Sequence, residues 1–267
     1  MLFRLSTPAL VAVVSVVVIG CTLGGIALGR YLRERGDRIR EPLGVVQAAL
    51  LGFVALILAF GLTMAVGRYD ARRAALVDEA NTIGTTYLRA QTLAEPERSR
   101  SLRLLRSYTD ARLDLSDAVP DTAKFRRASV NSQVIQRKLW ALAGETMNTS
   151  PQASAPRLYV ETLNNMIDAH TTRIAALDNR IPGSVLLLQV GISALAFAVL
   201  GLYLSILGRA VLPPLLGAVM VTLLLLVIFD LDRPHRGFIE IPSGPLVAQR
   251  ASMVLPPAAT GPAVPPR

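Results

Sequence analysis

Hydrophobic and polar positions alternate between two regimes along this chain. Four windows carry no charged side chain at all: Leu5–Gly29, Pro42–Gly67, Ile181–Gly208 and Ala210–Phe229. Crossing the hydrocarbon core of a bilayer takes about 20 apolar residues in a helix, and each window is long enough. The last two are separated by little more than Gly208 and Arg209, which predicts a tight hairpin. Pro213 and Pro214 fit there because the first turn of a helix tolerates proline. The pattern predicts an all-α, four-pass membrane protein. Its expected parts are a first span with a short N-terminus (1–29), an Arg-rich loop (30–42) and a second span (43–67). A helical water-side bundle (68–180) follows, then spans three (181–208) and four (210–229), an interfacial segment (230–250) and a disordered Pro-rich tail (251–267).

Between spans two and three the apolar residues recur at three- and four-residue steps, the period of one buried helix face. Span two continues directly into the first such helix, through Tyr69, Leu76, Ala80, Ile83 and Tyr87, to stop near Leu93. Pro96 opens a second helix with Leu102, Leu105 and Tyr108. "VPDT" (Val119–Thr122) is a break with an Asp/Thr cap, and a third helix runs through Phe125, Ile135, Leu139 and Leu142. "NTSPQASAP" is a loop. The fourth helix starts at Pro156 and aligns Tyr159, Leu163, Met166, His170, Ile174 and Leu177 before meeting span three at "RIPGSV". No sustained alternation of period two supports a strand.

Charge changes this picture little. The formal net charge is +9, but the arginines lie mainly in the first loop and the central segment, where membrane flanks concentrate them; nucleic acid is not an expected partner. "VIGC" at Val18–Cys21 resembles a lipoprotein cleavage box, yet the chain stays apolar beyond it, so a plain membrane helix is the better reading. A single cysteine excludes an internal disulfide, and His170 and His235 do not make a metal site. No phosphate-binding Gly loop, nucleophile motif or metal-ligand pair is present, so the expectation is no enzyme and no cofactor. Asp230 and Asp232 could join a cation site; anchoring with Arg233 and Arg236 is the plainer use of them.

Within the spans, small residues stack four apart: Gly20 with Gly24, Gly25 with Gly29, Gly44 with Ala48 and Gly52, Ala194 with Ala198. Such rows let helix backbones approach, inside one subunit or between subunits. Span two carries the apolar seam Leu50, Phe53, Ile57, Phe60 and Met64, with Gln47 and Thr63 nearby. No ionisable residue lies in any span, against the habit of proton pumps and ion-coupled transporters. A pore with an apolar constriction needs none. On that reading Gln47, Phe53, Ile57 and Phe60 line it and Arg68, Arg72 and Arg73 form a basic mouth; the same stripe would equally suit lipid or a neighbouring helix. Glu79 is either a buried partner of Arg72 or Arg73 or a member of a solvated face.

The stretches "LGFVALILAFGLTMAVGRYDARRAALVDEANTIGTTYLRA", "LLRSYTDARL", "LNNMIDAHTTRIAALDNRIPGSV" and "FDLDRPHRGFI" resemble the bacterial bestrophin-like membrane proteins, distant relatives of the bestrophin anion channels. The resemblance runs from about Leu43 to Leu246. It implies a homo-oligomer around a pore lined by the second span, with inorganic anions as the permeant species. It places Glu79, Asn81, Gly84, Asp232, Arg233 and Pro234 in family motifs without an assigned role. Two features depart from the bestrophins: span two has no proline after Pro42, and the acidic cluster after the last span is reduced to Asp230 and Asp232.

Four spans put both termini and the bundle on one side of the membrane. Arg4, Arg68, Arg72, Arg73, Arg173, Arg180, Arg233 and Arg236 flank that side, against Arg30, Arg33, Arg35, Arg38, Arg40 and Arg209 on the other. The count leans towards a cytoplasmic bundle in a bacterial inner membrane. The expected function is an oligomeric anion-permeable channel; the alternative is a membrane sensor or scaffold whose bundle binds a ligand or partner without transport.

Overall fold

The structure, a computed structural model, describes residues 6–33, 40–119, 122–233 and 238–257. Arg35 and Arg38 of the Arg-rich loop, Pro234, Arg236 and the last ten residues of the tail lie outside them. All regular structure among the described residues is helical: α1 (Thr7–Leu32), α2 (Arg40–Ala90), α3 (Glu97–Ser116), α4 (Ala123–Thr149), α5 (Ser154–Asp178), α6 (Gly183–Ile206), α7 (Leu212–Leu231) and α8 (Gly244–Ser252). Helices α1, α2, α6 and α7 each hold a stretch long and apolar enough to cross a membrane. The chain divides into two compact units, one of residues 1–69 and 180–239, the other of residues 70–179 and 240–267. Helix α2 contributes to both.

In the membrane unit, Leu10, Val14 and Val18 of α1 are buried with Val54, Leu58 and Ala65 of α2, Leu186, Ala196 and Phe197 of α6, and Ala218, Leu225 and Phe229 of α7. Helices α1 and α6 meet through small residues. A methyl group on Gly25 would collide with the backbone of Ala198, and one on Gly201 with the backbone of Thr22 and the side chain of Ile26. Gly29 is closed in the same way by Leu202 and Ser205. The other predicted rows are mixed: Gly20, Gly24 and Gly52 face open space, whereas Gly44 lies against the Tyr203 side chain, Ala194 is buried and Ala198 is the backbone that Gly25 meets.

The α6–α7 hairpin is closed by a Schellman motif. Gly208 takes φ +68°, a conformation that costs a side chain strain but glycine none. Its amide donates to Ser205 O at 3.1 Å and the Arg209 amide to Leu204 O at 3.0 Å. Proline follows in the first turn of α7, as the sequence predicts.

The second unit packs Leu76, Ala80, Ile83 and Tyr87 of α2 against Leu105 and Tyr108 of α3, Ile135 and Leu139 of α4, and Tyr159, Leu163 and Met166 of α5. The predicted Thr cap forms: Thr122 Oγ1 accepts the Phe125 amide at 3.2 Å. The end of the chain corrects one expectation. Residues 244–252, assigned to an interfacial segment and the start of a disordered tail, form α8, and Leu246 and Met253 are fully buried in this core. Arg250 pairs with Asp110 at 2.6 Å. Arg106 donates to Met253 O at 2.7 Å and to the Tyr87 hydroxyl at 2.9 Å. The bond to Met253 O gives the C-cap carbonyl of α8 a partner of the kind a helix terminus lacks.

Candidate functional site

Helix α2 presents two candidate regions, one in each unit. In the membrane unit its buried side is Val54, Leu58 and Ala65. The opposite side carries Phe53, Leu56, Phe60 and Met64, all exposed, Phe60 to 60%. Gln47 and Ile57 are half-buried. The proposed seam is therefore split: the two phenylalanines face out of the unit and Ile57 sits at its edge.

The backbone near Ile57 has a polar partner. Gln189 of α6, 1% exposed, donates its amide to Ile57 O at 3.2 Å. Gly61 stands beside that amide with no room for a methyl group. A buried amide in a membrane interior must find a partner within the protein, and the glycine lets it reach the helix backbone. Elsewhere in this unit Thr22 and Thr222 bond back to the carbonyls of Val18 and Ala218, each at 2.7 Å.

The Asp230 and Asp232 carboxylates are both engaged with backbone amides. The Asp230 carboxylate accepts the amides of Phe238 and Ile239 at 2.8–2.9 Å. Asp232, fully buried, accepts the Ile181 amide at 3.0 Å and 3.1 Å, so it tethers the segment entering α6 to the end of α7. Both carboxylates hold backbone, and Arg233 is buried beside them.

In the second unit a charged cluster occupies the centre of the four-helix core. Glu79 is fully buried, and its partners are Arg112 and Arg173 rather than Arg72 or Arg73. Arg112 Nε lies 2.6 Å from Oε1 and Arg173 Nη1 2.5 Å from Oε2. Arg173 Nη2 donates to Ser116 Oγ at 2.6 Å. His170 Nδ1 is 3.6 Å from Glu79 Oε1, beyond hydrogen-bond length. Tyr108 closes the other side, its ring centroid 6.5 Å from that of His170, and its hydroxyl accepts from Gln136 at 3.1 Å.

The electrostatics follow from this geometry. Burial alone would raise the Glu79 pKa, but the adjacent imidazole and the two guanidinium charges outweigh it and hold the carboxyl at about 2. Burial pushes His170 down, and Arg112 and Arg173 add to that against the pull of Glu79, so the imidazole is neutral at pH 7. Tyr159 is raised to about 12 by burial.

Arg72 also leaves the proposed basic mouth. It is 2% exposed, and its Nε and Nη2 donate to Ala176 O at 3.2 Å and Asn179 O at 2.8 Å. A cation on the carbonyls at a helix C-terminus also complements the helix dipole. Arg73 is exposed and Arg68 half-buried. Of the motif residues, Asn81 lies on an exposed face, while Gly84 is buried where a methyl group would press on the Gln249 side chain of α8.

Arg112, Arg106 and Gln189 were not singled out from the sequence, and Arg173 was counted only as a membrane flank, although for the two core arginines a signal existed. Arg112 sits four after Tyr108 and three before Leu115, on the buried stripe of α3. Arg173 sits three after His170 and four before Leu177, and Glu79 between Leu76 and Ile83. A charge in register with the apolar face marks a buried ion pair.

The model of the Bestrophin-like domain matches residues 12–246. No curated protein matches the chain. Among solved structures, a single-residue variant of a bacterial bestrophin homolog from Klebsiella pneumoniae superposes with a TM-score of 0.66 at 14% identity, covering 91% of this chain and 97% of that one. A second variant gives a TM-score of 0.64 at 14% identity, with 89% and 97% covered. The same homolog solved by zinc phasing gives 0.61 at 14% identity, with 88% and 95% covered. The superpositions carry the all-helical fold with its four membrane-length helices, and the domain match extends over most of the chain: it belongs to the bestrophin-like family of membrane proteins.

Proposed function

We propose that this protein is an oligomeric channel permeable to inorganic anions, with α2 lining the pore. The observation that carries the reading is the two-sidedness of α2 in the membrane unit. One side is buried against its own subunit, and the other offers an uncharged row of Phe53, Leu56, Phe60 and Met64. Copies arranged about an axis would turn that row inward as an apolar constriction, which passes ions when hydrated and blocks them when dry. Family membership supports the same reading. We put the bundle and both termini on the cytoplasmic side of a bacterial inner membrane, the orientation expected from the sequence. Purified protein in chloride-loaded liposomes should release the anion faster than empty liposomes do, and Phe60→Arg should change the rate. Release indistinguishable from empty liposomes across pH, calcium and voltage would overturn the channel and favour a sensor or scaffold.

A further inference from the structure

The charged core of the bundle has too many donors and too much positive charge for its protein acceptors. Glu79 supplies −1, Arg112 and Arg173 supply +2, and the neutral His170 adds nothing, leaving +1. Glu79 is the one buried acid among the described residues of this unit. The nearby acids of α3 are no help: Asp114 and Asp117 are exposed, and Asp110 is engaged with Arg250.

The excess is concentrated on Arg112. It is the largest fully buried side chain among the described residues. Its Nε is spent on Glu79, yet Nη1 and Nη2 meet no hydrogen-bond acceptor. Each of those nitrogens carries two N–H donors. His170 Nδ1 likewise has no hydrogen-bond partner. The Tyr108 hydroxyl already accepts from Gln136, so its own O–H is one more donor in the same place. Bulk water cannot reach a side chain with no exposed surface, and a buried charge without a partner is strongly unfavourable.

We propose that the Arg112 guanidinium binds a small monovalent inorganic anion, of the halide class, inside the bundle. Its charge of −1 brings the cluster to neutrality, whereas a divalent anion would invert the imbalance. The anion accepts from the terminal nitrogens that Glu79 leaves unused. The site lies in the bundle core and does not depend on whether the protein conducts.

Two measurements on the full-length protein in detergent test it. Crystals grown in bromide should show an anomalous peak within hydrogen-bonding distance of Arg112 Nη1 or Nη2. Thermal melts at equal ionic strength should give a Tm several degrees higher in chloride or bromide than in gluconate, saturating with concentration, and Arg112→Met should lose that difference. Ordered water without anomalous signal at Arg112 would overturn the proposal, as would equal Tm values for the wild type in halide and gluconate. A halide effect of unchanged size in Arg112→Met would do the same. Should the variant fail to fold, the bromide map of the wild type decides alone.

Discussion

The two units solve the same packing problem with opposite chemistry, and α2 takes part in both. In the membrane unit the helices approach through Gly25, Gly29 and Gly201; the buried polar groups within its spans include Gln189 on the Ile57 carbonyl and threonines bonded to their own helix, and its buried charges, Asp232 and Arg233, sit at the end of α7. In the bundle the centre is ionic, with Glu79 held between Arg112 and Arg173 and tied on to Ser116. The difference reflects the surroundings. Lipid is as apolar as leucine, so membrane helices gain by close backbone approach rather than by segregating apolar side chains. In water the apolar faces associate without help. A buried ion set then adds little net stability but penalises any register that separates its members.

The comparison predicts where each unit breaks. The largest effect should come from Glu79→Ala. Removing the acid leaves two buried guanidinium groups without a carboxylate, and breaking such a pair costs about 3–5 kcal/mol. A melt of the purified protein should show a Tm lower by several degrees, and no change would contradict the ionic core.

In the membrane unit the corresponding weak point is steric. Gly25→Ala forces a methyl group onto the backbone of Ala198, which cannot swing aside as a side-chain end can. Overpacking of this kind costs about 1–3 kcal/mol. Gly24→Ala, one residue away in open space, carries the helix-propensity gain without the clash and should melt at or slightly above the parent, which separates packing from helix propensity.

Acid should weaken the bundle before it reaches Glu79. His170 has a lowered pKa in the fold, so the unfolded chain, with a histidine pKa of about 6.5, binds the proton first. Stability therefore falls as pH drops below about 6.5. The groups facing the ring are Glu79 on α2, Tyr108 and Arg112 on α3 and Arg173 on its own helix; of these only Glu79 titrates on the acid side, at about 2. Glu79 adds a second loss as pH falls from about 4.3, the unfolded carboxyl value, towards 2. Melts of the parent and His170→Gln between pH 7.5 and 5.5 should show a shallower slope for the variant.

The smallest effect belongs to Gly84→Ala. Its methyl group meets only the end of the Gln249 side chain, which can turn away, so helix propensity gains of up to about 1 kcal/mol over glycine offset the contact. A Tm within about two degrees of the parent is expected on that balance.

Much of this architecture is legible in the sequence because it is periodic. Uncharged windows locate the spans, and three- and four-residue spacing gives the bundle helices with their buried faces at Leu76, Ile83, Leu139 and Leu163. The misses have a common cause: they depend on pairing across helices, which spacing along one helix does not encode. Glu79 was visible as a charge in a small-residue setting, but its partners lie 33 and 94 residues away. Arg72 looked like a mouth residue because nothing in its own helix reveals the carbonyls of α5. Helix α8 was obscured by the proline- and alanine-rich composition that begins beside it.

The most direct test of α2 as the pore helix uses the chain's single cysteine. Cys21 is exposed and is replaced by alanine to give a thiol-free parent. Phe53→Cys and Phe60→Cys are then introduced one at a time and treated with a bulky anionic thiol reagent during anion flux from liposomes. The account predicts that both positions label and that labelling blocks flux. Complete labelling at both positions with flux unchanged would contradict it.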